Sequence, residues 1–503
     1  MLFNTPEFIF LFLPAAVVLH FALARWSVDA AVIGTTFSSL VFYAWWNPPF
    51  VILPAASIAL NFWLAARMVA AEPPAARALL IAGIAGNLLV LGYFKYADFL
   101  LSIVDGHKAV PPKVPLALSF TTFVQLAFLV ETYRRRTVPV FARYALFVAF
   151  FPHLIAGPIV RWSNLGRQLN DRSRFRLDWA NVALGLTIFT FGLVKKVLLA
   201  DTLSPYVTAV FDTAAGGEPV PGAAAWGACL AFTGQIYFDF SGYSDMAVGL
   251  GLLFNLRLPI NFAAPLRATS MVDFWRRWHI TLSQWFRDFV YAPLTFGRRG
   301  APRQAVSIMI TMALAGFWHG AGWTFIAWGA WLGLLMLINI AWQRLLRPDW
   351  QLPGFVGWAL TFTGCVIGAV FFRAADIETS WHLLQAMAGF GDAMVPPQRL
   401  VDWDDWLIQH GYVSDLFVRA WFGTTWSVTG TAWTVLALAI ALIVPDTMEI
   451  TRYREGEAQS HWRRPVGLLA WRPSLLALGV TAALFAAVFT SIGRVSEFLY
   501  YQF

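Results

Sequence analysis

Residues 305–342 read AVSIMITMALAGFWHGAGWTFIAWGAWLGLLMLINIAW, and this stretch decides the class of fold. It contains no Asp, Glu, Lys or Arg, and His319 is its one titratable side chain. About 20 consecutive apolar residues are enough for a helix to cross a lipid bilayer. The stretch therefore predicts two membrane spans, at 305–318 and 320–342, with His319 between them.

The rest of the chain has the same apolar character. Of its 503 residues, 58% are hydrophobic and only 13% are charged, whereas soluble domains carry about 25% charged residues. A soluble core also stops growing at about 250–300 residues, so this much apolar surface could not be hidden from water. The composition predicts a polytopic integral membrane protein and excludes an ordinary soluble enzyme.

Other apolar runs predict further spans along the chain. The N-terminal run lacks a basic leading segment and a small-residue cleavage site, so we expect it to remain as the first membrane helix. Segment 141–160 is interrupted by Pro152, Gly157 and Pro158, which predicts a re-entrant or broken segment packed inside protein. The remaining predicted spans are 8–24, 30–46, 50–70, 78–101, 114–131, 180–200, 222–238, 355–372, 430–445 and 474–492.

The formal net charge of +8 comes from Lys and Arg clusters between the apolar runs. Basic residues in short loops mark the cytoplasmic side, so we assign these clusters to cytoplasmic loops beside anionic lipid and expect no nucleic-acid partner. Arginines fall in every second loop between Arg25 and Arg135, and this alternation places the N-terminus outside. Segment 391–429, which contains Asp404 and four other aspartates but few basic residues, predicts the largest external loop. We expect a multi-pass membrane protein.

A first group of polar residues interrupts the apolar pattern at 237–246, YFDFSGYSDM. Buried ionisable residues at bilayer depth indicate a functional site by default, and buried polar groups must find hydrogen-bond partners. Two interpretations remain open, a polar tunnel near a substrate or a hydrogen-bonded packing network. The candidate residues are Asp239, Ser241, Tyr243 and Asp245.

A second group lies in residues 273–288, DFWRRWHITLSQWFRD. At 100° per residue the aromatic side chains and His279 share one face, and Arg276, Arg277 and Arg287 lie opposite. The pattern predicts one amphipathic helix at the cytoplasmic boundary, with Asp273 and Trp278 as further substrate-site candidates. The arginines either anchor the helix to lipid headgroups or bind the phosphates of an anionic donor.

The third group is AGFWHGAGW at 315–323, where Trp318 and His319 precede a glycine. Desolvation favours the neutral imidazole, which is able to accept a proton. The absence of side chains at the flanking glycines lets a substrate approach the ring. These properties favour a catalytic role for His319, whereas a lone histidine such as His279 is more often a packed core residue.

At these groups the chain resembles the membrane-bound O-acyltransferase family, in its bacterial alginate O-acetylation branch. The resemblance spans most of the chain, and the element containing His319 is specific only in combination with RRWH about 40 residues upstream. The matching segments are FPHLIAGPIVRW at 151–162, YFDFSGYSDMAVGLGLLF at 237–254, DFWRRWHITLSQWFRDFVYAPL at 273–294, FWHGAGWTFIAWGAW at 317–331 and SEFLYYQF at 496–503.

The resemblance implies an all-α membrane fold, a ring of about 11–12 transmembrane or re-entrant helices around a central tunnel. It also implies a single domain over 1–503, with a motif core at about 141–342, and a place in a bacterial inner membrane. His319 matches the family's catalytic histidine and His279 its second histidine. We expect His153, in the first matching segment, to be structural.

What the resemblance implies for chemistry is transfer of an acetyl group from cytoplasmic acetyl-CoA across the membrane to an exported polysaccharide, most simply alginate. His319 would be the general base, and His279 would hold the donor or stabilise the oxyanion. A covalent acyl-histidine, other acceptors (peptidoglycan, cellulose) and D-alanyl transfer to teichoic acid stay open. We expect a periplasmic acetyltransferase partner, no bound cofactor and no metal.

Two non-enzymatic interpretations compete with this one. A polysaccharide transporter would explain broken helices and buried carboxylates, but it gives no reason for His279 and His319, and the chain shows no internal repeat of the kind found in many transporters. A scaffold for an envelope polysaccharide complex would make both histidines packing residues.

Overall fold

The computed structural model is built of helices. It describes residues 1–105, 114–296, 300–345, 352–390, 426–453 and 467–491. Within these ranges there is no β-strand, and the all-α prediction is confirmed. Most of the predicted external loop at 391–429 and the terminal motif at 496–503 lie outside the described residues.

The helices follow one another with short connections. Wider π-helical turns at Glu7–Phe12, Gly92–Tyr96, Val194–Ala200, Arg287–Tyr291 and Ala386–Phe390 adjoin the α-helices, and 3₁₀ turns occupy Pro48–Val51, Arg172–Phe175, Pro265–Arg267 and Gly467–Leu469. The α-helices are α1 Leu13–Ala24, α2 Val28–Ala44, α3 Ile52–Ala70, α4 Pro73–Leu91, α5 Ala97–Asp105, α6 Leu118–Arg135, α7 Phe141–Ala149, α8 Phe151–Leu154, α9 Trp162–Asn170, α10 Trp179–Leu193, α11 Asp201–Ala215, α12 Gly222–Leu253, α13 Met271–Arg277, α14 Ile280–Phe286, α15 Ala292–Thr295, α16 Ala301–His319, α17 Trp323–Leu345, α18 Gly354–Arg373, α19 Ile377–Gln385, α20 Val428–Ile443, α21 Thr447–Thr451 and α22 Leu475–Phe489.

Several of these helices are long and apolar enough to cross a bilayer. In the described part of the chain there are six such stretches, and α2, α20 and α22 are apolar but shorter. The N-terminal run is the first of the six, as predicted. The six are Glu7–Ala24, Pro48–Ala70, Pro73–Val104, Trp179–Ala215, Trp323–Arg344 and Gly354–Arg373. The chain is therefore a multi-pass membrane protein.

The predicted interruption at 141–160 is confirmed. Helix α7 ends at Ala149, because the next residue, Phe150, has a non-helical ψ of 106°, and the short helix α8 follows at once. Phe150 and Phe151 are fully buried, so this irregular backbone is shielded by protein. Such shielding is what a non-helical segment at membrane depth requires.

The predicted single amphipathic helix at 273–288 is wrong. The chain forms α13 and α14 instead, and between them Trp278 is extended and His279 is left-handed, with φ 41° and ψ 55°. The end of α13 finds hydrogen bonds outside the helix, because the Ala263 N–H donates to the Arg277 carbonyl at 3.0 Å. The apolar period continues through the break, which is why periodicity could not reveal it.

The polar segment 237–246, by contrast, does not interrupt a helix. It lies inside α12, which continues well past the predicted end at 238. A glycine of the neighbouring helix packs closely against this segment: a Cβ added at Gly192 of α10 would lie 2.5 Å from the Gly242 carbonyl oxygen.

The chain divides into two compact units. The first comprises Met1–Val194, Gly242–Asn261 and Thr447–Val495, and the second comprises Lys195–Ser241, Phe262–Asp446 and Ser496–Phe503. Both candidate catalytic histidines belong to the second unit. Each unit is assembled from separate stretches of chain, and the single-domain organisation over 1–503 stays a prediction.

In the first unit, polar side chains join neighbouring helices. Asn61 of α3 and Asn87 of α4 exchange amide hydrogen bonds of 3.2 and 2.7 Å. Arg136, just after α6, donates to the Met68 and Ala71 carbonyls and so caps the end of α3. This arginine has a structural role as well as its predicted place in a basic loop.

In the second unit, α16 and α17 form a closely packed helical hairpin. A Cβ at Gly316 would overlap the Phe325 carbonyl oxygen, and one at Gly329 would overlap the Met312 carbonyl oxygen. Only glycine permits this approach of the two backbones. The hairpin bears on the candidate site because His319, the predicted catalytic residue, is the last residue of α16.

Candidate active site

His319 is placed by the end of a helix. Helix α16 stops at this residue because Gly320 is extended, and a side chain at Gly320 would overlap the Phe325 ring. The imidazole is 4% exposed. Its ring meets Trp328 edge-on at 5.1 Å and Phe372 at 5.3 Å between centroids.

A cavity opens beside the His319 ring. It encloses about 550 Å³ of empty volume, including its open mouth. Apart from His319, its polar side chains are Thr233 and Cys365. The apolar lining residues are Phe232, Ile236, Leu266, Phe274, Trp278, Trp328, Leu332, Ala369 and Phe372. A hydroxyl held there would have few groups other than the imidazole with which to share its proton.

His279 is fully buried at the break between α13 and α14. The ring of Phe240 meets it edge-on at 4.6 Å, and the ring of Phe262 lies parallel to it at 6.4 Å. A left-handed backbone at a residue other than glycine is uncommon, and persists where the surroundings hold it. The two phenylalanines supply such surroundings.

Trp318 has ring contacts with both histidines. Its ring centroid is 6.3 Å from that of His279 and 4.9 Å from that of His319. The structure thus brings together His279, Trp318 and His319. Trp278 lines the cavity beside His319, whereas His279 is not among the residues that line this cavity.

The four polar candidate residues of α12 belong to two different units of the structure. Asp239 and Ser241 lie in the second unit, and Tyr243 and Asp245 lie in the first. All four are buried, and the Tyr243 ring stacks on Phe3 at 4.6 Å. Asp239 forms an ion pair with Lys196 at 2.6 Å. For Tyr243 and Asp239 these contacts favour the packing network over the tunnel.

The candidates on α13 have distinct surroundings. Asp273 accepts a hydrogen bond from Arg277 Nε at 2.9 Å, an ion pair one turn apart on the helix. Arg276 is exposed, whereas the Arg277 side chain is largely buried. Asp273 therefore orients Arg277, and of the two arginines Arg276 is the better placed to meet a soluble anion.

His153 and the two cysteines have simpler environments. The His153 ring nitrogen Nε2 lies 2.9 Å from the Phe147 carbonyl oxygen, which supports the structural interpretation of this residue. Cys229 is buried and Cys365 lines the cavity. Among the described residues no group of His, Cys, Asp or Glu is arranged to hold a metal ion.

Three residues of this site were not predicted. Trp328 and Phe372 form the wall around His319, and Lys196 holds Asp239. Lys196 had a visible signal, a lysine within the apolar span 180–200. Trp328 lies in the matching segment at 317–331 but was not singled out there, and Phe372 had no signal, because aromatic side chains are abundant throughout this chain.

Comparison with known proteins identifies the family of this chain. The sequence profile of the membrane-bound O-acyltransferase family matches residues 59–372, which include both histidines, Trp328 and Phe372. The chain belongs to the membrane-bound O-acyltransferase family. It is therefore a membrane-embedded acyltransferase, and the resemblance seen in the motifs is confirmed.

Relatives of this acyltransferase act on different polymers, by their names. The peptidoglycan O-acetyltransferase of Helicobacter pylori is 38% identical over 77% of this chain and 80% of its own. The probable alginate O-acetylase AlgI of Azotobacter vinelandii is 40% identical over 78% and 79%. The teichoic acid D-alanyltransferase of Streptococcus thermophilus is 31% identical over 46% and 57%.

Proposed function

We propose that this acyltransferase takes an acetyl group from cytoplasmic acetyl-CoA and passes it across the bacterial inner membrane for O-acetylation of an exported polysaccharide. The observation that carries the proposal is the His319 imidazole at the wall of an apolar cavity. A periplasmic acetyltransferase partner would complete the transfer to the polymer.

The chemistry assigned to His319 is general-base catalysis. The neutral ring accepts the proton of the attacking hydroxyl as its oxygen adds to the thioester carbonyl. The tetrahedral intermediate then collapses, the C–S bond breaks, and the proton moves from the imidazolium to the leaving thiolate. The aromatic wall around His319 keeps water away from the thioester, which limits wasteful hydrolysis.

His279 is assigned the stabilisation of the donor or of the oxyanion. The Trp318 ring contacts both imidazoles, so this tryptophan adjoins the place where a substrate would meet them. Hydrogen bonds aimed at a developing oxyanion in a site without water are a large contribution to catalysis. Arg276, exposed on α13, is assigned to the phosphates of the donor.

Alginate is the proposed acceptor, and peptidoglycan is the second candidate. Several alginate O-acetylases are similar to this chain, yet the Helicobacter pylori peptidoglycan enzyme is nearly as similar, at 38% against 40% identity. Acetyl-ester analysis of both polymers, in cells with and without the gene, distinguishes the two acceptors.

The catalytic assignment is tested with His319→Ala. Because positioned proton transfer contributes about 10²–10⁴ in rate, we expect polymer acetylation to fall at least 100-fold with protein abundance unchanged. His382→Ala is the matched control, since His382 is an exposed histidine of the same unit. Acetylation at the wild-type level in the His319 variant, with its expression verified, would refute the assignment.

A further inference from the structure

Lys196 is buried in the second unit, within a predicted membrane span. The residue is 2% exposed, and its Nζ lies 2.6 Å from Asp239 Oδ1 and 2.7 Å from Asp201 Oδ1. A buried charge is costly unless it is paired and hydrogen-bonded. Such pairs are weak evidence for stability but can specify one arrangement of the elements they join.

The backbone around Lys196 is irregular. Residues Val194–Ala200 form a π-helical turn inside the long helical stretch Trp179–Ala215. This turn directs two consecutive lysines at α12: the Lys195 Nζ lies 6.0 Å from the Tyr237 ring centroid, and Lys196 pairs with Asp239. Turns of this type occur often at functional sites.

From Asp239, a chain of contacts leads to His279. Phe240, the next residue of α12, is fully buried and meets the His279 ring at 4.6 Å. Phe240 also packs on Phe262 at 5.0 Å. A small rotation of α12 would therefore move one wall of the pocket that holds the His279 ring.

We infer that Lys196 is a positioning residue for His279, acting through its ion pair with Asp239 and the adjoining Phe240. The inference rests on the proposed role of His279 in acetyl transfer. Lys196 itself does not touch substrate in this role. It fixes the rotation of α12, so that Phe240 keeps the His279 ring beside Trp318.

The position of His279 matters because small displacements of a reacting group are costly. Misplacement of a reacting group by 1 Å can cost about 10²-fold in rate. A lysine held by two carboxylates on α11 and α12 resists such a displacement more firmly than apolar packing does, because charge-assisted hydrogen bonds have narrow distance preferences. Loss of Lys196 should therefore loosen His279 before it unfolds the unit.

The test measures how readily His279 reacts with diethyl pyrocarbonate, by mass spectrometry of the full-length protein in nanodiscs. In Lys196→Met we expect modification of His279 to rise at least threefold over wild type. His153, buried in the first unit, is the internal reference and should not change. An unchanged His279, or an equal rise at His153, would overturn the inference.

Two aspartate variants sharpen the result. Asp239→Asn retains an oxygen that can accept from Lys196, so it should fold and give a smaller rise at His279; it decides the matter if Lys196→Met does not accumulate. Asp201→Asn is the matched control. It removes the other carboxylate that pairs with Lys196, but it leaves Asp239, the residue before Phe240, unchanged. An equal rise in the Asp201 and Asp239 variants would contradict positioning through α12.

Turnover provides a second readout. If Lys196 acts through His279, Lys196→Met and His279→Gln should each reduce turnover about tenfold or more, and the double variant should be no slower than the slower single one. If the fold-reductions in turnover of the two single variants multiply in the double variant, the inference is wrong. Wild-type turnover in His279→Gln would instead refute the proposed role of His279, and the modification experiment would still decide what places this residue.

Discussion

At the scale of single residues, the two histidines are held in different ways. His319 is the last residue of α16, and the glycines at 316 and 320 pack closely against Phe325 on either side of it. His279 interrupts a helical period and depends on aromatic neighbours for its left-handed backbone. We therefore expect His279 to be the more sensitive of the two to changes in distant residues.

A second residue-scale prediction concerns the arginines of α13. Arg276→Gln should raise the KM for acetyl-CoA several-fold with little change in kcat, because removal of a contact made equally in ground and transition states weakens binding alone. Arg277→Gln should instead reduce protein abundance, because it breaks the pair with Asp273. Steady-state kinetics and immunoblotting measure the two effects.

The contrast between the two arginines is the control. Equal KM values in wild type and Arg276→Gln would leave Arg276 as an anchor to lipid headgroups, worth about 1 kcal/mol near the membrane surface. A raised KM in the Arg277 variant alone would reverse the assignment of the two residues.

At the scale of elements, the α16–α17 hairpin places His319. Gly316→Ala would push the added methyl group into the Phe325 carbonyl, one turn from His319. Overpacking of this kind costs typically about 1–3 kcal/mol, and displacement of His319 should lower turnover about 10–100-fold. Thermal unfolding and acetylation assays measure the two consequences.

Gly86→Ala is the control for the hairpin. Gly86 also lies in a helix, but a Cβ there would have no atom within 4 Å among the described residues. We expect it to keep wild-type activity. Loss of activity in both variants would show that any added methyl group disturbs this protein, and the role assigned to the hairpin glycine would be wrong.

Helix α19 should respond to pH. The Asp376 carboxylate accepts a hydrogen bond from the Thr379 N–H at 2.7 Å, which holds the pKa of this carboxyl below its usual value. A carboxyl with a depressed pKa stabilises the folded state above its unfolded pKa, and this stabilisation is lost as the pH falls through the folded value.

The prediction is that hydrogen-exchange protection of α19, corrected for intrinsic rates, declines below about pH 4. Asp376→Asn should remove this pH dependence but keep the cap. Asp376→Ala should lose about 1 kcal/mol of local stability at neutral pH. A pH-dependent decline that persists in the Asn variant would assign the titration to another group.

At the scale of the whole molecule, orientation in the membrane follows from charge. In a background without Cys229 and Cys365, a cysteine near Asp404 should react with a membrane-impermeant reagent in cells with a permeabilised outer membrane. A cysteine at the exposed Arg135 position should not react. The opposite pair of results would reverse the orientation and, with it, the side from which the donor enters.

Hydropathy and motif spacing are properties of the sequence by itself. Hydropathy is additive along the chain, and crossing a bilayer needs only a sufficient apolar length. The sequence alone therefore determined the class of protein and most of its helices, including the interruption at 141–160. The motifs around His279 and His319 identified the family, because their residues occur in one order at one spacing.

Only the tertiary structure decided what surrounds those histidines. The wall of the cavity joins Phe232, Trp328 and Phe372, which are far apart in sequence. The break at His279 and the pairing of Lys196 with Asp239 depend on hydrogen bonds and charges that lie between elements. Periodicity records which face of a helix is apolar, but a side chain's partner is set by how separate helices pack, and that information is not local.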